Sequence, residues 1–77
     1  MIAAYILIQT EVGMIGDVAA QIRPIKGLNS ADGVTGPYDV IARAEATDLD
    51  ELGKLVVRQI QDVPGVTRTL TCPVIHI

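Results

Sequence analysis

The chain has 77 residues, of which 49% are hydrophobic and 19% are charged, and its formal net charge is −3. This length accommodates one domain, residues 1–77, and the apolar content excludes intrinsic disorder. Six Lys and Arg residues against nine Asp and Glu residues do not supply the basic patch of a nucleic-acid-binding protein. We therefore expect no direct contact with nucleic acid.

The cysteine content and the length of the apolar runs exclude further classes of protein. The single cysteine, Cys72, has no partner for an internal disulfide and cannot build a cysteine-based metal site. The longest apolar run, Met1–Ile8, is far shorter than the roughly 20 residues of a membrane-spanning helix, and no basic segment precedes it as in a signal peptide. We expect a cytoplasmic protein with no membrane contact, no metal and no cofactor.

The first predicted element is a strand over residues 2–10. Its β-branched and apolar residues occupy both parities, with Ile6 and Ile8 on one face and Tyr5 and Leu7 on the other. A strand that is apolar on both faces is typical of a central strand in a sheet covered on both sides.

A helix follows, because apolar residues then recur at the spacing of one helical stripe. These are Ile15, Val18, Ala19 and Ile22. Pro24 ends the helix, since proline disfavours helical geometry at the preceding residue.

Two strands are predicted next, over residues 28–35 and 38–46, separated by the turn residues Gly36 and Pro37. Asp32 and Gly33 weaken the first of these strands, so we expect it at an edge of the sheet, with a bulge at these residues.

The second helix begins within residues 47–51, where Thr47 with Asp50, or Asp48 with Glu51, can form a capping box. Its apolar stripe consists of Leu49, Leu52, Val56, Ile60 and Val63. Pro64 and Gly65 stop the helix, and the Thr-rich residues 66–77 are predicted to form the last strand.

The element order is βαββαβ, and its two halves resemble each other. Gly27–Leu28 after the first helix matches Gly65–Val66 after the second. Two such units predict an α+β, ferredoxin-like fold. It has a four-stranded antiparallel sheet in the order 4-1-3-2, with both helices on one face.

Two helices cover one face of this sheet and leave an apolar face bare. We expect a second copy to cover it, giving a dimeric α/β sandwich or barrel. The alternative is a soluble monomer that leaves this apolar face exposed to solvent.

Catalytic groups are scarce. The one histidine, His76, is next to the C-terminus, and on a continuous strand it would lie about 13 Å from Cys72. That distance excludes a nucleophile–base contact. We expect no catalytic residue and predict that Cys72 is a buried structural cysteine.

Charges on the third strand allow two interpretations. Asp39, Arg43 and Glu45 share one parity, and charges on a buried face are costly unless they are paired. One interpretation is an Arg43–carboxylate pair at the dimer interface. The other places Asp39, at the mouth of the strand, in a ligand site.

The turn before this strand could bind a free amino acid. Gly36 allows close approach and offers an amide to a carboxylate, Pro37 stiffens the turn, Tyr38 forms a wall, and Asp39 could accept a hydrogen bond from an ammonium group. The alternative is an ordinary hairpin turn.

The strings VTGPYDVI (residues 34–41) and PGVTRTLT (residues 64–71) resemble the ligand-binding (RAM) domain of the Lrp/AsnC family of amino-acid-responsive transcriptional regulators. The family pattern is roughly vTGxYD, then an apolar strand, a helix and pGVxxTxT. The resemblance covers the whole chain, including the opening strand.

The resemblance implies a homodimer formed through the sheets, and higher oligomers such as octamer-like rings. It places the amino acid between dimers, at a loop that corresponds to Gly36, Pro37, Tyr38 and Asp39. The last-strand motif adds Thr69 and Thr71 as ligand-binding candidates.

The given sequence starts at the first strand of the sensor domain and resembles the stand-alone versions, so we expect it to act without the helix-turn-helix domain of full-length regulators. We expect it to bind an amino acid and oligomerise, and to modulate transcription by assembling with full-length Lrp/AsnC regulators or to act as a free sensor.

Two alternatives remain. One is a small dimeric α/β-barrel enzyme, of the cofactor-free monooxygenase or isomerase type, which requires a pocket inside one subunit with a His, Asp or aromatic cluster. The other is a ligand-free oligomerisation domain.

Overall fold

The structure is a computed structural model that describes residues 1–76. Its strands are β1 (Ile2–Thr10), β2 (Leu28–Gly33), β3 (Val40–Ala46) and β4 (Val66–Pro73). Helix α1 spans Ile15–Ile22. The second helix runs without a break through α2 (Leu49–Glu51), a π-helical segment (Leu52–Val57) and α3 (Arg58–Gln61). Within residues 1–76, no helix has the length and apolarity needed to cross a membrane.

All four strands form one antiparallel sheet in the order β2-β3-β1-β4. Ile8 of β1 lies opposite Val40 of β3 on one side and Thr69 of β4 on the other. The predicted ferredoxin-like fold, its strand order and its two central strands are confirmed.

The core lies between the sheet and the helices. Alternate residues of the central strands are fully buried there, namely Ala4, Ile6, Ile8, Val40, Ala42 and Ala44. Val18, Ala19 and Ile22 of α1, with Leu52, Val56 and Ile60 of the second helix, pack against them. Because side chains alternate along a strand, the other set points to the opposite face of the sheet, which no helix covers.

Both helices pack through their predicted stripes, and the first residue of each stripe is the most exposed. Ile15 is 36% exposed and Leu49 is 64% exposed, and each is the first residue of its helix. Ile15 still touches the edge strand, since its Cγ2 atom lies 2.9 Å from the position that a Cβ on Gly33 would occupy. At the second helix, Asp48 Oδ1 accepts a hydrogen bond from Glu51 N at 2.8 Å, and Glu51 Oε1 accepts one from Thr47 N at 2.9 Å.

Several strand ends differ from the prediction. The second strand stops at Gly33 and the third begins at Val40, because residues 34–39 form a folded loop. The bulge lies between Leu28 and Ser30 rather than at Asp32 and Gly33. The last strand ends at Pro73, which has no amide proton to donate; Ile77, its predicted last residue, lies outside the described residues.

The internal repeat has a structural counterpart. Leu28 N donates to Ile25 O at 3.1 Å, and Val66 N donates to Val63 O at 3.2 Å. The glycines that precede these strands have nearly the same φ, +100° at Gly27 and +97° at Gly65. The chain therefore leaves both helices by the same type of turn.

Candidate functional site

The loop of residues 34–39 folds back against the end of β1. Val34 N donates to Asp39 O at 2.9 Å, which closes the loop, and Asp39 N donates to Ile8 O at 2.9 Å. The Asp39 end of the loop therefore extends the β1–β3 pairing, and the Val34–Asp39 bond closes the loop on itself.

The Asp39 side chain has a partner within the chain. Its Oδ2 atom accepts a hydrogen bond from Thr10 N at 2.8 Å, and the Thr10 hydroxyl lies 3.4 Å from the same oxygen. Both contacts involve only one of the two carboxylate oxygens. Asp39 thus holds the end of β1, in addition to any role in binding.

Gln9 joins the loop to β4. Its Nε2 atom donates to Pro37 O at 3.0 Å, and its backbone oxygen accepts a hydrogen bond from the Thr67 hydroxyl at 3.2 Å. Gln9 and Thr10 were not among the predicted site residues. Continuing the antiparallel register from the Ile8–Val40 pair would have placed both opposite the loop.

Gly36 lies at the open tip of this loop. Its φ is +148°, a conformation that residues with a Cβ rarely adopt, and no atom lies within 4 Å of the position that a Cβ would occupy. Tyr38 and Asp39 are half-buried, whereas Gly36 and Pro37 are exposed. A ligand could therefore approach the Gly36 backbone from solvent, with the Asp39 carboxylate in the same loop.

Thr69 and Thr71 are not brought to the loop within one chain. They lie opposite Ile8 and Ile6, on the face that the helices cover, and the Thr69 hydroxyl accepts a hydrogen bond from Gln61 Nε2 at 3.0 Å. Strand β1 separates them from β3, and two strand spacings amount to about 10 Å.

A shallow depression of about 260 Å³ lies where β4 begins, lined by Gln61, Val66, Thr67, Arg68 and Thr69. It is at the same end of the sheet as the loop, because Thr10 lies opposite Val66. Arg68 supplies a cation there.

A larger groove, about 470 Å³, lies at the other end of β3. Its lining consists of Met1, Lys26, Gly27, Glu45, Ala46, Thr47, Glu51, Val56 and Gln59. The enzyme alternative required a pocket inside one subunit with a His, Asp or aromatic cluster. This lining, drawn from the part of the chain that the structure describes, contains none of these residue types.

The uncovered face of the sheet, which we call the open face, is mainly apolar at its centre. Leu7 lies between Ile41 and Leu70 in adjacent strands, and Leu70 is 45% exposed. Cys72 also lies on this face, opposite Tyr5. It is only partly buried, so the prediction of a buried cysteine is wrong for the single chain, because no helix covers this side of β4.

Arg43 pairs with a carboxylate within the chain, whereas the predicted location of this pair at a dimer interface stays a prediction. Arg43 Nη1 lies 3.5 Å from Glu45 Oε1 and donates a hydrogen bond to Asn29 Oδ1 at 3.1 Å. Asp39 does not take part, since its carboxylate contacts Thr10.

The chain is a ferredoxin-like α+β domain with a loop anchored at one end of its sheet. The family model of the Lrp/AsnC ligand-binding domain matches residues 3–77, and the chain belongs to this family.

Known proteins agree with this assignment. The chain is 33% identical over 55 residues to an uncharacterized HTH-type transcriptional regulator of Pyrococcus furiosus, covering 71% of the chain and 37% of that relative's length. A crystal structure of a Thermus thermophilus protein superimposes with a TM-score of 0.91 at 30% identity, covering 100% of this chain and 96% of that one. A Neisseria meningitidis transcriptional regulator in complex with L-Met has the same fold, with a TM-score of 0.85 at 22% identity over 97% of this chain and 50% of that one.

Proposed function

We propose that this chain is a non-enzymatic sensor domain that binds a free amino acid at the loop of residues 34–39. The observation that carries the proposal is the anchoring of Asp39 by Thr10, 2.8 Å from Oδ2, beside the open backbone of Gly36. A loop fixed in advance loses little conformational entropy when a ligand binds.

The loop offers the two groups that a zwitterion requires. The Gly36 backbone can donate to a carboxylate, since amides in turns bind anions. Asp39 supplies a carboxylate for the ammonium group, and a charge-assisted hydrogen bond is roughly twice as strong as a neutral one. Pro37 keeps the turn rigid and Tyr38 forms one wall.

The complete site requires more than one subunit. Thr69 and Thr71 lie on the other side of β1 from the loop, so we assign their contact to a ligand held by a neighbouring subunit. The open face pairs two chains into a dimer, and dimers associate further, with rings such as octamers, to form the cleft.

The partners that we propose are further copies of this chain and full-length Lrp/AsnC regulators. The curated relatives are named HTH-type transcriptional regulators, and the chain spans about 37% of their length. DNA contact in such an assembly would come from the regulators, because this chain has an excess of three acidic charges.

Titration calorimetry with the twenty amino acids tests the proposal. L-Met is the first ligand to try, since the structurally similar Neisseria meningitidis regulator was crystallised with it. We expect heat of binding from at least one amino acid, and an increase of the melting temperature with that ligand.

Asp39→Asn is the informative variant. It keeps an oxygen that can accept from Thr10 N, but it removes the charge that an ammonium group requires. We expect a folded protein with at least about tenfold weaker binding. Asp62→Asn, an exposed carboxylate at the end of the second helix, is the matched control. Absence of heat with every amino acid would contradict the proposal and favour a ligand-free oligomerisation domain.

A further inference from the structure

The open face carries an ion pair towards the Ala46 end of β3. Arg43 and Glu45 are 3.5 Å apart, and their side chains are 37% and 38% exposed. They lie on β3, one of the two central strands, and Arg43 is the middle one of the three β3 residues on this face, between Ile41 and Glu45. Their neighbours on β1 are Tyr5 and Ala3.

The pair is held in place before any partner arrives. Asn29 accepts a hydrogen bond from Arg43 at 3.1 Å, and Glu45 contacts the same nitrogen of the guanidinium group. Arg43 therefore presents a defined donor array to whatever covers the face.

Covering this face with a purely apolar surface would remove water from both charges. Desolvation of an ion pair is costly unless further hydrogen bonds or opposite charges compensate for it. A partner that compensates for both charges brings an acid to Arg43 and a base to Glu45.

A second copy of this chain meets that requirement. In a two-fold interface, if residue i of one subunit contacts residue j of the other, then j also contacts i. Because Arg43 and Glu45 are neighbours on the same face of β3, a two-fold axis that passes between them can bring each charge towards its opposite in the other copy. A surface of one sign could satisfy only one of them.

We infer that Arg43 and Glu45 pair reciprocally across the dimer interface and select a second copy of this chain as the partner. The inference rests on the sheet-to-sheet dimer of the proposed function and adds the residues that determine its specificity. Leu7, Ile41 and Leu70 supply apolar contacts that any apolar surface could make. The charge pair, in contrast, discriminates between partners.

The test mixes charge-reversed variants. R43E has glutamates at both positions 43 and 45, and E45R has arginines at both. In a homodimer of either variant, like charges therefore face each other across the interface. We expect sedimentation to show dimers at least about tenfold weaker for each variant alone, since like charges that meet in an interface are strongly unfavourable. An equimolar mixture of the two should recover the wild-type affinity as a heterodimer, which native mass spectrometry identifies by mass.

Two controls keep the result interpretable. The double variant R43E/E45R restores one charge of each sign and should dimerise like the wild type. R58E reverses an exposed charge on the second helix and should not change dimer affinity. Far-UV circular dichroism verifies folding of every variant.

The outcomes separate the two proposals. If the wild type is dimeric and R43E and E45R dimerise equally well alone, the inference is overturned while the dimer remains. Weakened variants that fail to recover on mixing also overturn it. A wild type that stays monomeric at tens of micromolar overturns the dimer of the proposed function together with this inference.

Discussion

Thr10 N donates a hydrogen bond of 2.8 Å to Asp39 Oδ2, which joins the last residue of β1 to the loop before β3. The two residues are 29 positions apart in sequence. The contact has two consequences, since it fixes the loop that we propose as the ligand site and also makes Asp39 part of the fold.

Substitutions at Asp39 should therefore separate stability from binding. Asp39→Ala leaves Thr10 N without its acceptor, and we expect a loss of about 1–3 kcal/mol in the free energy of unfolding. Asp39→Asn keeps an acceptor and should lose less stability, although both variants should bind the amino acid at least about tenfold more weakly. Urea unfolding monitored by circular dichroism measures the difference; equal stability of the wild type and Asp39→Ala would show that the contact contributes nothing.

The stability of the second helix should depend on its N-terminal cap, Asp48. Asp48 Oδ1 accepts from Glu51 N at 2.8 Å, and loss of such a cap typically costs about 1 kcal/mol. We expect Asp48→Ala to lower the free energy of unfolding by about that amount. Asp50→Ala, in the same helical turn, loses only the charge–dipole interaction and should have a smaller effect. A reversed order in chemical denaturation would contradict the assignment of the cap.

Glycine should be required at residue 27. A Cβ there would lie 3.0 Å from Val56 Cγ2 and 3.2 Å from Glu45 O, at a φ of +100°. We expect Gly27→Ala to destabilise the protein by about 1–3 kcal/mol. Gly53→Ala, in the second helix with no atom within 4 Å of its Cβ position, should be neutral or stabilising by up to about 1 kcal/mol. Thermal melts of the two variants compare them directly.

The core between the helices and the sheet should tolerate truncation of its side chains poorly. Ile60 is fully buried, and Ile60→Ala should lower the free energy of unfolding by about 2–5 kcal/mol through lost apolar burial and the cavity that remains. Val12, which is fully exposed, is the control, and Val12→Ala should lie within about 0.5 kcal/mol of the wild type. A small effect of Ile60→Ala would mean that the core is not packed as described.

Substitutions on the open face should change the oligomeric state and not the stability of the single chain, because the apolar residues there can contact a partner and do not contact the helices. Leu70→Lys places a charge among them, so we expect dissociation of the proposed dimer without loss of secondary structure. Leu49→Lys, at a leucine that is 64% exposed on the second helix, should leave the oligomer unchanged. Size-exclusion chromatography with light scattering reads out the mass; a dimer that survives Leu70→Lys would place the interface elsewhere.

Much of the architecture could be predicted because it depends on local periodicity. The alternation in β1 and β3 separated the helix face from the open face, and the helical stripes identified Val56 and Ile60 as core residues. Errors occurred at the ends of elements. There, a proline such as Pro73 or a folded loop such as residues 34–39 decides the boundary, and periodicity carries no information about either.

The ligand site at Gly36–Asp39 stays a prediction, and the sequence indicated only part of the structure around it. The loop itself was visible in the sequence, but its anchors Gln9 and Thr10 were not, because their contacts span 28 and 29 residues and depend on strand register. Thr69 and Thr71 followed from a motif, yet the register directs both to the helix-covered side of β4.

The amino-acid sequence alone determined the order of the elements, the apolar character of both sheet faces and the family, because these depend on residue type and spacing along the chain. Only the tertiary structure decided which atoms hold the loop, on which face each threonine lies and that Arg43 pairs with Glu45 and Asn29. These are set by the pairing of strands distant in sequence, where a shift of one residue would turn every side chain to the other face.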